Sequence, residues 1–192
     1  MSLLPYLINI TGFVKKYDQV IVQVDDLIIR SRITIIIGDN GCGKSTLLKA
    51  ISNLISYEGH IDCQQDIKYM PEKNHFPYDA TVYQFLSVLC HLNQASFDQL
   101  MELVILFQLE ARLNEKLSKL SKGMKAKIDL INTLNNKAEI YLLDEPLNGL
   151  DEKSVSILID YMRQSDKCFV IASHHLGLFS QLEAEVIALW NY

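Results

Sequence analysis

The chain has 192 residues, of which 49% are hydrophobic and 21% are charged, and its formal net charge is −5. This length suffices for one well-buried domain, and the negative net charge argues against a nucleic-acid partner. No run approaches the 18 apolar residues of a membrane-spanning helix, and the N-terminus lacks the basic region and cleavage site of a signal peptide. The four cysteines show no C-x-x-C spacing, which favours free thiols in a reducing cytosol over a disulfide framework.

The first third of the chain predicts β-strands. Two strands are expected from Tyr6 to Val14 and from Gln19 to Ile29, because both segments are rich in β-branched residues. Between them, Lys15-Lys16-Tyr17-Asp18 is typical of a turn. The apolar run at residues 33–37 predicts a buried strand, and residues 59–62 and 67–70 predict two short ones.

A glycine-rich motif directly follows the predicted strand at residues 33–37. It reads Gly38-Asp39-Asn40-Gly41-Cys42-Gly43-Lys44-Ser45-Thr46, which matches the P-loop pattern G-x-x-x-x-G-K-[ST]. Glycines let backbone N–H groups surround a phosphate, and residues 46–51 predict a helix whose N-terminus favours an anion. Lys44 is expected to reach the β- and γ-phosphates, and the Ser45 hydroxyl group to ligate Mg²⁺. The residues expected to bind the nucleotide are Asn40, Gly41, Cys42, Gly43, Lys44, Ser45 and Thr46.

The alternative interpretation of this motif is an incidental glycine-rich turn. It is disfavoured because the motif lies between a predicted strand and a predicted helix, which is the arrangement that binds phosphate.

Residues 77–135 predict a mostly helical block. Asp79 is the expected N-cap of its first helix, and apolar residues follow at helical spacing. A second helix is expected around residues 100–107, and a third from Ser121 onward. The block therefore predicts a helical insertion between two strand-rich segments, residues 1–76 and 136–192.

Alternating strands and helices return after the helical block. Strands are expected at residues 140–143 and 169–172, with a helix at 152–163 between them, so the pattern predicts a parallel α/β sheet. The first of these strands ends in Asp144 and Glu145, which would face the ligand crevice at the carboxyl edge of the sheet. We expect Asp144 to help hold Mg²⁺ through water and Glu145 to polarise the attacking water, unless the pair is only an acidic turn.

In their order and spacing, these motifs resemble the ATP-binding subunit of an ABC transporter over nearly the whole chain. Residues 120–124 resemble the family's signature loop, usually LSGGQ, and residues 148–151 resemble its D-loop. Residues 173–174 resemble the switch-histidine region, and residues 69–72 resemble the Q-loop segment.

The resemblance implies the fold and further site residues. The fold would be α/β, with a P-loop NTPase (RecA-like) core, an N-terminal antiparallel β subdomain and an inserted helical subdomain, all within one ABC ATPase domain. Tyr17 would stack on the adenine of ATP, and His174 would sense the γ-phosphate. Ser121 and Gly123 would contact the γ-phosphate from a second subunit, and Asp151 would tune communication across the same interface.

Several positions leave alternatives open. Lys122 replaces a usual Gly of the signature loop, and either adds positive charge beside the γ-phosphate or is solvated. Glu72 replaces the usual Gln, and either ligates Mg²⁺ or is a surface glutamate after a proline. Tyr17 either stacks on adenine or is a packing tyrosine. His175 lies next to His174, so the switch histidine could be displaced by one residue.

The resemblance also implies function and partners. The chain would hydrolyse ATP with Mg²⁺ and power a separate transmembrane permease, which would dock on residues 77–112 near Glu72. Two such subunits would pair as a homodimer or a pseudo-symmetric heterodimer, peripheral at the cytoplasmic face of the membrane. Glu72, and a chain that ends soon after its last strand, favour export. The alternative is a non-transport ABC-type ATPase, or another P-loop NTPase, that acts on a soluble partner.

Overall fold

The computed structural model describes residues 7–17, 21–73 and 75–189. The strands found there are β1 (Ile8–Lys16), β2 (Ile21–Ile29), β3 (Ile33–Ile37), β4 (Glu58–Asp62), β5 (Ile67–Met70), β6 (Ile140–Asp144), β7 (Cys168–Ala172) and β8 (Glu185–Ala188). The α-helices are α1 (Lys44–Ile51), α2 (Val82–Leu92), α3 (Phe97–Leu106), α4 (Lys122–Leu134) and α5 (Glu152–Gln164).

The described residues fall into two compact units. The first unit takes the residues up to Tyr69, together with residues 138–145 and 166–189. The second unit consists of residues 70–137 and 146–165, and it includes the predicted helical block.

Two β-sheets build the first unit. One has the strand order β2-β1-β4, and β1 runs antiparallel to both neighbours. The other has the order β5-β6-β7-β3-β8, in which β7 is parallel to β6 and β3, and β3 is parallel to β8. Because carboxyl ends of parallel strands meet at one edge, the segments after β3, β6 and β7 lie close together.

A buried cluster joins both sheets of the first unit to α1. It contains Phe13 of β1, Leu47 and Leu48 of α1, and Leu142 and Val170 of the parallel sheet. The inner strands are buried along most of their length, which explains why their sequences are continuous apolar runs. Burial of this cluster holds the loop after β3 against the edge of the parallel sheet.

The second unit is built from helices that begin with polar caps. Helices α2, α3 and α4 pack against one another. Thr81, and not the expected Asp79, caps α2: its Oγ1 accepts the N–H of Gln84, whose side chain accepts the N–H of Thr81. The expectation for Asp79 is therefore wrong, and its carboxylate instead pairs with Lys116 at 3.1 Å. Ser121 caps α4, so the third helix begins one residue after the start expected for it.

The predicted fold class and most predicted elements are confirmed. The chain has an antiparallel sheet, a parallel sheet and helices, and the strand predicted at residues 33–37 has those bounds. The turn expected at Lys15 and Lys16 is wrong, because both residues lie in β1. Asp18 of that turn, and the strand residues Tyr6, Gln19 and Val20, lie outside the described residues.

The structure also bears on the expectations for the cysteines and for membrane-spanning helices. All four cysteines are free. In the part of the chain that the structure describes, no helix is long and apolar enough to cross a membrane.

Candidate functional site

The glycine-rich motif forms the loop between β3 and α1. Gly41 and Gly43 have φ angles of 86° and 103°, in the left-handed region that favours glycine. A Cβ at Gly43 would collide with the side chain of Val22. Gly43 has no side chain to cap α1, and the first helical turn, Lys44-Ser45-Thr46, contains no acidic residue. The start of α1 therefore presents N–H groups and positive potential, which fits a phosphate group.

Lys44 lies folded across this loop. Its side chain is 7% exposed, and Nζ donates hydrogen bonds to the carbonyl oxygens of Gly38 at 2.6 Å and Asp39 at 3.0 Å. The neighbouring Cys42 is buried, with its Sγ 3.9 Å from Nζ of Lys44. Cys42 thus faces the core, so only its backbone is oriented to line a ligand site. Asn40 lies exposed at the turn of the loop.

Asp144 lies at the end of β6, where both of its carboxylate oxygens accept hydrogen bonds. The Ser45 Oγ donates to Oδ1 at 2.9 Å, and the Tyr69 hydroxyl group donates to Oδ2 at 3.1 Å. Asp144 is only 2% exposed. The structure thus brings together two of the three residues predicted to hold magnesium.

The donor set at this position fits a magnesium–nucleotide complex better than a metal held by protein alone. Among the described residues, no group of three or more His, Cys, Asp or Glu side chains is placed to hold a metal ion. Magnesium commonly takes one or two protein oxygens and fills its remaining positions with phosphate and water. The Ser45 hydroxyl and Asp144 carboxylate are such oxygens.

Glu145, which follows Asp144, is held at both carboxylate oxygens. His174 Nδ1 lies 2.7 Å from Oε1, and the Ser173 hydroxyl group donates to Oε2 at 3.3 Å. The N–H of Glu145 donates to the carbonyl oxygen of Ala172, at the end of β7. Its φ angle of 49° lies in the left-handed region, which costs a non-glycine residue about 1–2 kcal/mol. Such strain clusters at functional sites.

Tyr17 lies beside α1 with its ring accessible. The hydroxyl oxygen is 3.5 Å from Oγ1 of Thr46, and Nζ of Lys15 is 5.5 Å from the ring centroid. The side chain is 47% exposed, which favours a ring available for stacking over a ring packed in the core.

The remaining predicted residues belong to the second unit. Ser121 accepts the N–H of Met124 at 3.2 Å as the cap of α4. A Cβ at Gly123 would lie 2.7 Å from the carbonyl oxygen of Gly149, so the signature loop and the D-loop are in close backbone contact.

Asp151 caps α5 in the second unit. Its Oδ1 accepts the N–H of Ser154 at 2.8 Å, and its Oδ2 pairs with Lys127 at 3.1 Å. The hydrogen bonds from Ser154 and the contact with Lys127 lower the pKa of Asp151 from 3.8 to about 2. The carboxylate therefore remains charged at neutral pH and joins the D-loop to α4.

Glu72 and Lys122 line one groove of about 330 Å³ in the second unit. The aliphatic stem of Lys122 lies beside Gly149, where a Cβ would be 3.5 Å from its Cγ. Lys122 is exposed, which agrees with the solvated alternative, but its stem also packs on the D-loop.

Sequence reasoning missed three residues that contact predicted site residues. They are Tyr69, which contacts Asp144; Ser173, which contacts Glu145; and Lys127, which contacts Asp151. Tyr69 and Ser173 lie in the segments that resemble the Q-loop and switch-histidine regions. Their position in these segments, together with their hydroxyl groups, was the sequence signal that could have identified them as site residues.

Comparison with known proteins identifies the family. The family model described as ABC transporter matches residues 24–148, more than half of the chain. The zinc import ATP-binding protein ZnuC of Mannheimia succiniciproducens is 31% identical over 80% of this chain and 61% of its own length. The molybdenum import ATP-binding protein ModC of Saccharophagus degradans is 30% identical over 91% of this chain and 54% of its own length. The chain thus spans little more than half the length of these two relatives.

The fold has a close match among solved structures. A structure of the ATP-binding subunit of an ABC transporter superposes with a TM-score of 0.82, over 95% of this chain and 85% of that chain, at 22% identity. At this identity the likeness shows the fold alone, and it confirms the expected P-loop NTPase fold. Together with the matched family model, these similarities establish that the chain belongs to the ABC transporter family.

Proposed function

We propose that this chain binds ATP with Mg²⁺ and hydrolyses ATP as the nucleotide-binding subunit of an ABC transporter, with residues 1–192 forming one ABC ATPase domain. The observation that carries the proposal is the Glu145 carboxylate, held by His174 and Ser173 beside the Ser45–Asp144 pair. The names of the two relatives, which describe ATP-binding proteins, support it.

The P-loop residues would bind the phosphates of ATP. Bound ATP supplies the phosphoanhydride bond that is cleaved, and Mg²⁺ neutralises charge on its phosphates. Backbone N–H groups at the start of α1 would hold the β-phosphate, and Lys44 would exchange its carbonyl partners for phosphate oxygens. Ser45 and Asp144 would hold the metal side of the complex, and Tyr17 would stack on the adenine. Glu72 is proposed as a further magnesium ligand.

Glu145 would act as the base that polarises the attacking water. Its side chain is 11% exposed, so a small part of the carboxylate remains accessible to a water molecule. His174, bonded to Oε1, would orient the carboxylate and turn its exposed imidazole toward the γ-phosphate. A positioned general base typically contributes about 10²- to 10⁴-fold to a rate.

A second copy of this chain would complete the site. The P-loop residues and the signature residues Ser121 and Gly123 are both present in this sequence, so two copies contain the parts of two whole sites. Ser121 lies exposed at the N-terminus of α4, where a hydroxyl group and helix dipole favour a phosphate. Asp151, in contact with α4 through Lys127, would transmit changes at this loop.

A membrane permease would be the second partner. We propose that it docks on the helices of residues 77–112, near Glu72, which would place the chain at the cytoplasmic face of the membrane. Exposed apolar side chains on α2 and α3, such as Val88, Leu92 and Ile105, support a protein contact there.

The expectation of export is not supported. The two relatives described above are named as import proteins, so we do not retain export and assign no substrate. Their names also do not favour the alternative of an ATPase that acts on a soluble partner.

The proposal is tested by replacing Glu145 with Gln. We expect phosphate release from ATP to fall by at least about 100-fold, because an amide cannot accept the proton of water. ATP binding, measured by equilibrium dialysis, should be retained, because the P-loop contacts are unchanged. Glu139→Gln is the matched control: it removes an exposed carboxylate at the opposite end of β6 and should leave turnover unchanged.

Turnover in Glu145→Gln equal to that of the wild-type chain would show that Glu145 is not the base. Absence of ATP binding by the wild-type chain would overturn the proposed function altogether.

A further inference from the structure

We infer that the hydroxyl group of Tyr69 is a positioning group for the carboxylate of Asp144, and that it sets the affinity of the nucleotide site for magnesium. The inference rests on the proposed function, because it concerns the metal of the same site. Tyr69 lies on β5, which neighbours β6 in the parallel sheet, and Asp144 is the last residue of β6.

The two oxygens of Asp144 have different donors. Oδ1 accepts from Ser45 at 2.9 Å, and Oδ2 accepts from Tyr69 at 3.1 Å. Ser45 belongs to α1 and Tyr69 to β5, so the carboxylate is held from two separate elements. Hydrogen bonds to an ionised group are stronger than those between neutral groups, and Asp144 is almost fully buried.

The hydroxyl groups of Ser45 and Tyr69 have different roles in this proposal. Ser45 is both a donor to Asp144 and a magnesium ligand, so its contact changes when the metal binds. Tyr69 would not be a ligand, so its bond to Oδ2 can remain in place when the metal binds. Partners of metal-binding groups fix the orientation of those groups, and their loss typically costs about 10- to 100-fold in metal affinity or activity.

The test is the variant Tyr69→Phe, which removes one oxygen and keeps the ring. Binding of a fluorescently labelled ATP is measured in excess EDTA and then across a titration with MgCl₂. We expect unchanged affinity in EDTA, and a magnesium midpoint raised about tenfold, the lower end of the range for such partners. A thermal unfolding midpoint close to that of the wild-type chain shows that the fold is retained.

Tyr57→Phe is the matched control. Tyr57 is another partly buried tyrosine of the first unit, its ring packs against Phe13, and its hydroxyl group has no hydrogen-bond partner among the described residues. Its magnesium midpoint should equal that of the wild-type chain.

Three results overturn the inference. An unshifted magnesium midpoint in Tyr69→Phe shows that the hydroxyl group does not act on the metal site. Equal weakening in EDTA and in MgCl₂ shows a structural role only. If the wild-type chain binds the labelled ATP without any response to magnesium, the proposed function fails and the inference fails with it, whereas the first two results leave the proposed function intact.

Discussion

Glu145 and His174 are the pair of residues on which hydrolysis depends in this account. Glu145 adopts a φ angle of 49°, and its N–H is bonded to Ala172 of the neighbouring strand. The backbone bond and the contacts with His174 and Ser173 hold the carboxylate in one orientation. A strained φ angle persists only when the surrounding structure holds the residue in place, and these contacts do so for Glu145.

The two adjacent histidines are expected to differ sharply in their effect on catalysis. His174→Ala removes the ring bonded to Glu145, so turnover should fall by about 100-fold, with ATP binding retained. His175→Ala is the matched control: alanine keeps the backbone N–H that donates to Ser173 and removes a ring whose centroid lies 3.7 Å from that of His174, so a much smaller loss is expected. Steady-state phosphate release measures both. Equal losses in the two variants would contradict the assignment of His174.

Local site residues could be predicted from sequence, and distant contacts could not. The P-loop is contiguous, and its spacing alone indicates a phosphate site. Asp144 and Glu145 were recognisable because they end an apolar strand. By contrast, Tyr69 is 75 residues from Asp144, and no periodicity connects two such positions. Only the neighbouring placement of β5 and β6 brings them together.

At the scale of single elements, the start of α2 had two plausible N-cap residues, of which the structure uses one. Asp79 and Thr81 are both good N-cap residues, and both precede the apolar run. Gln84 distinguishes them, because it lies three residues after Thr81 and completes a capping box. The sequence therefore contained the correct signal, although Asp79 was the expected cap.

Thr81→Ala should destabilise the chain more than Asp79→Ala. The first variant removes the acceptor for the N–H of Gln84, and cap losses typically cost about 1 kcal/mol. Asp79→Ala, the control, removes only an exposed ion pair with Lys116, which typically contributes about 0–1 kcal/mol. The free energy of unfolding in urea measures both changes. A larger loss in Asp79→Ala would contradict the observed cap.

At the scale of the whole molecule, the elements were predictable and their order in the sheets was not. Apolar runs identified β3, β6 and β7 as buried strands. Buried runs do not indicate their neighbours, so the position of β3 between β7 and β8 could not be read from the sequence. This order matters because it brings the loop after β3 next to the ends of β6 and β7.

The central claim is that each ATP site is completed by residues of a second chain, and that Glu145 ends the ATP-bound dimer by promoting hydrolysis. The most direct measurement is the mass of Glu145→Gln in solution, by light scattering, with and without ATP and MgCl₂. Because this variant binds ATP without cleaving it, we predict a dimer of about twice the 21.9 kDa chain mass when ATP is present, and a monomer when it is absent. A mass that stays at 21.9 kDa while ATP is bound would contradict the account.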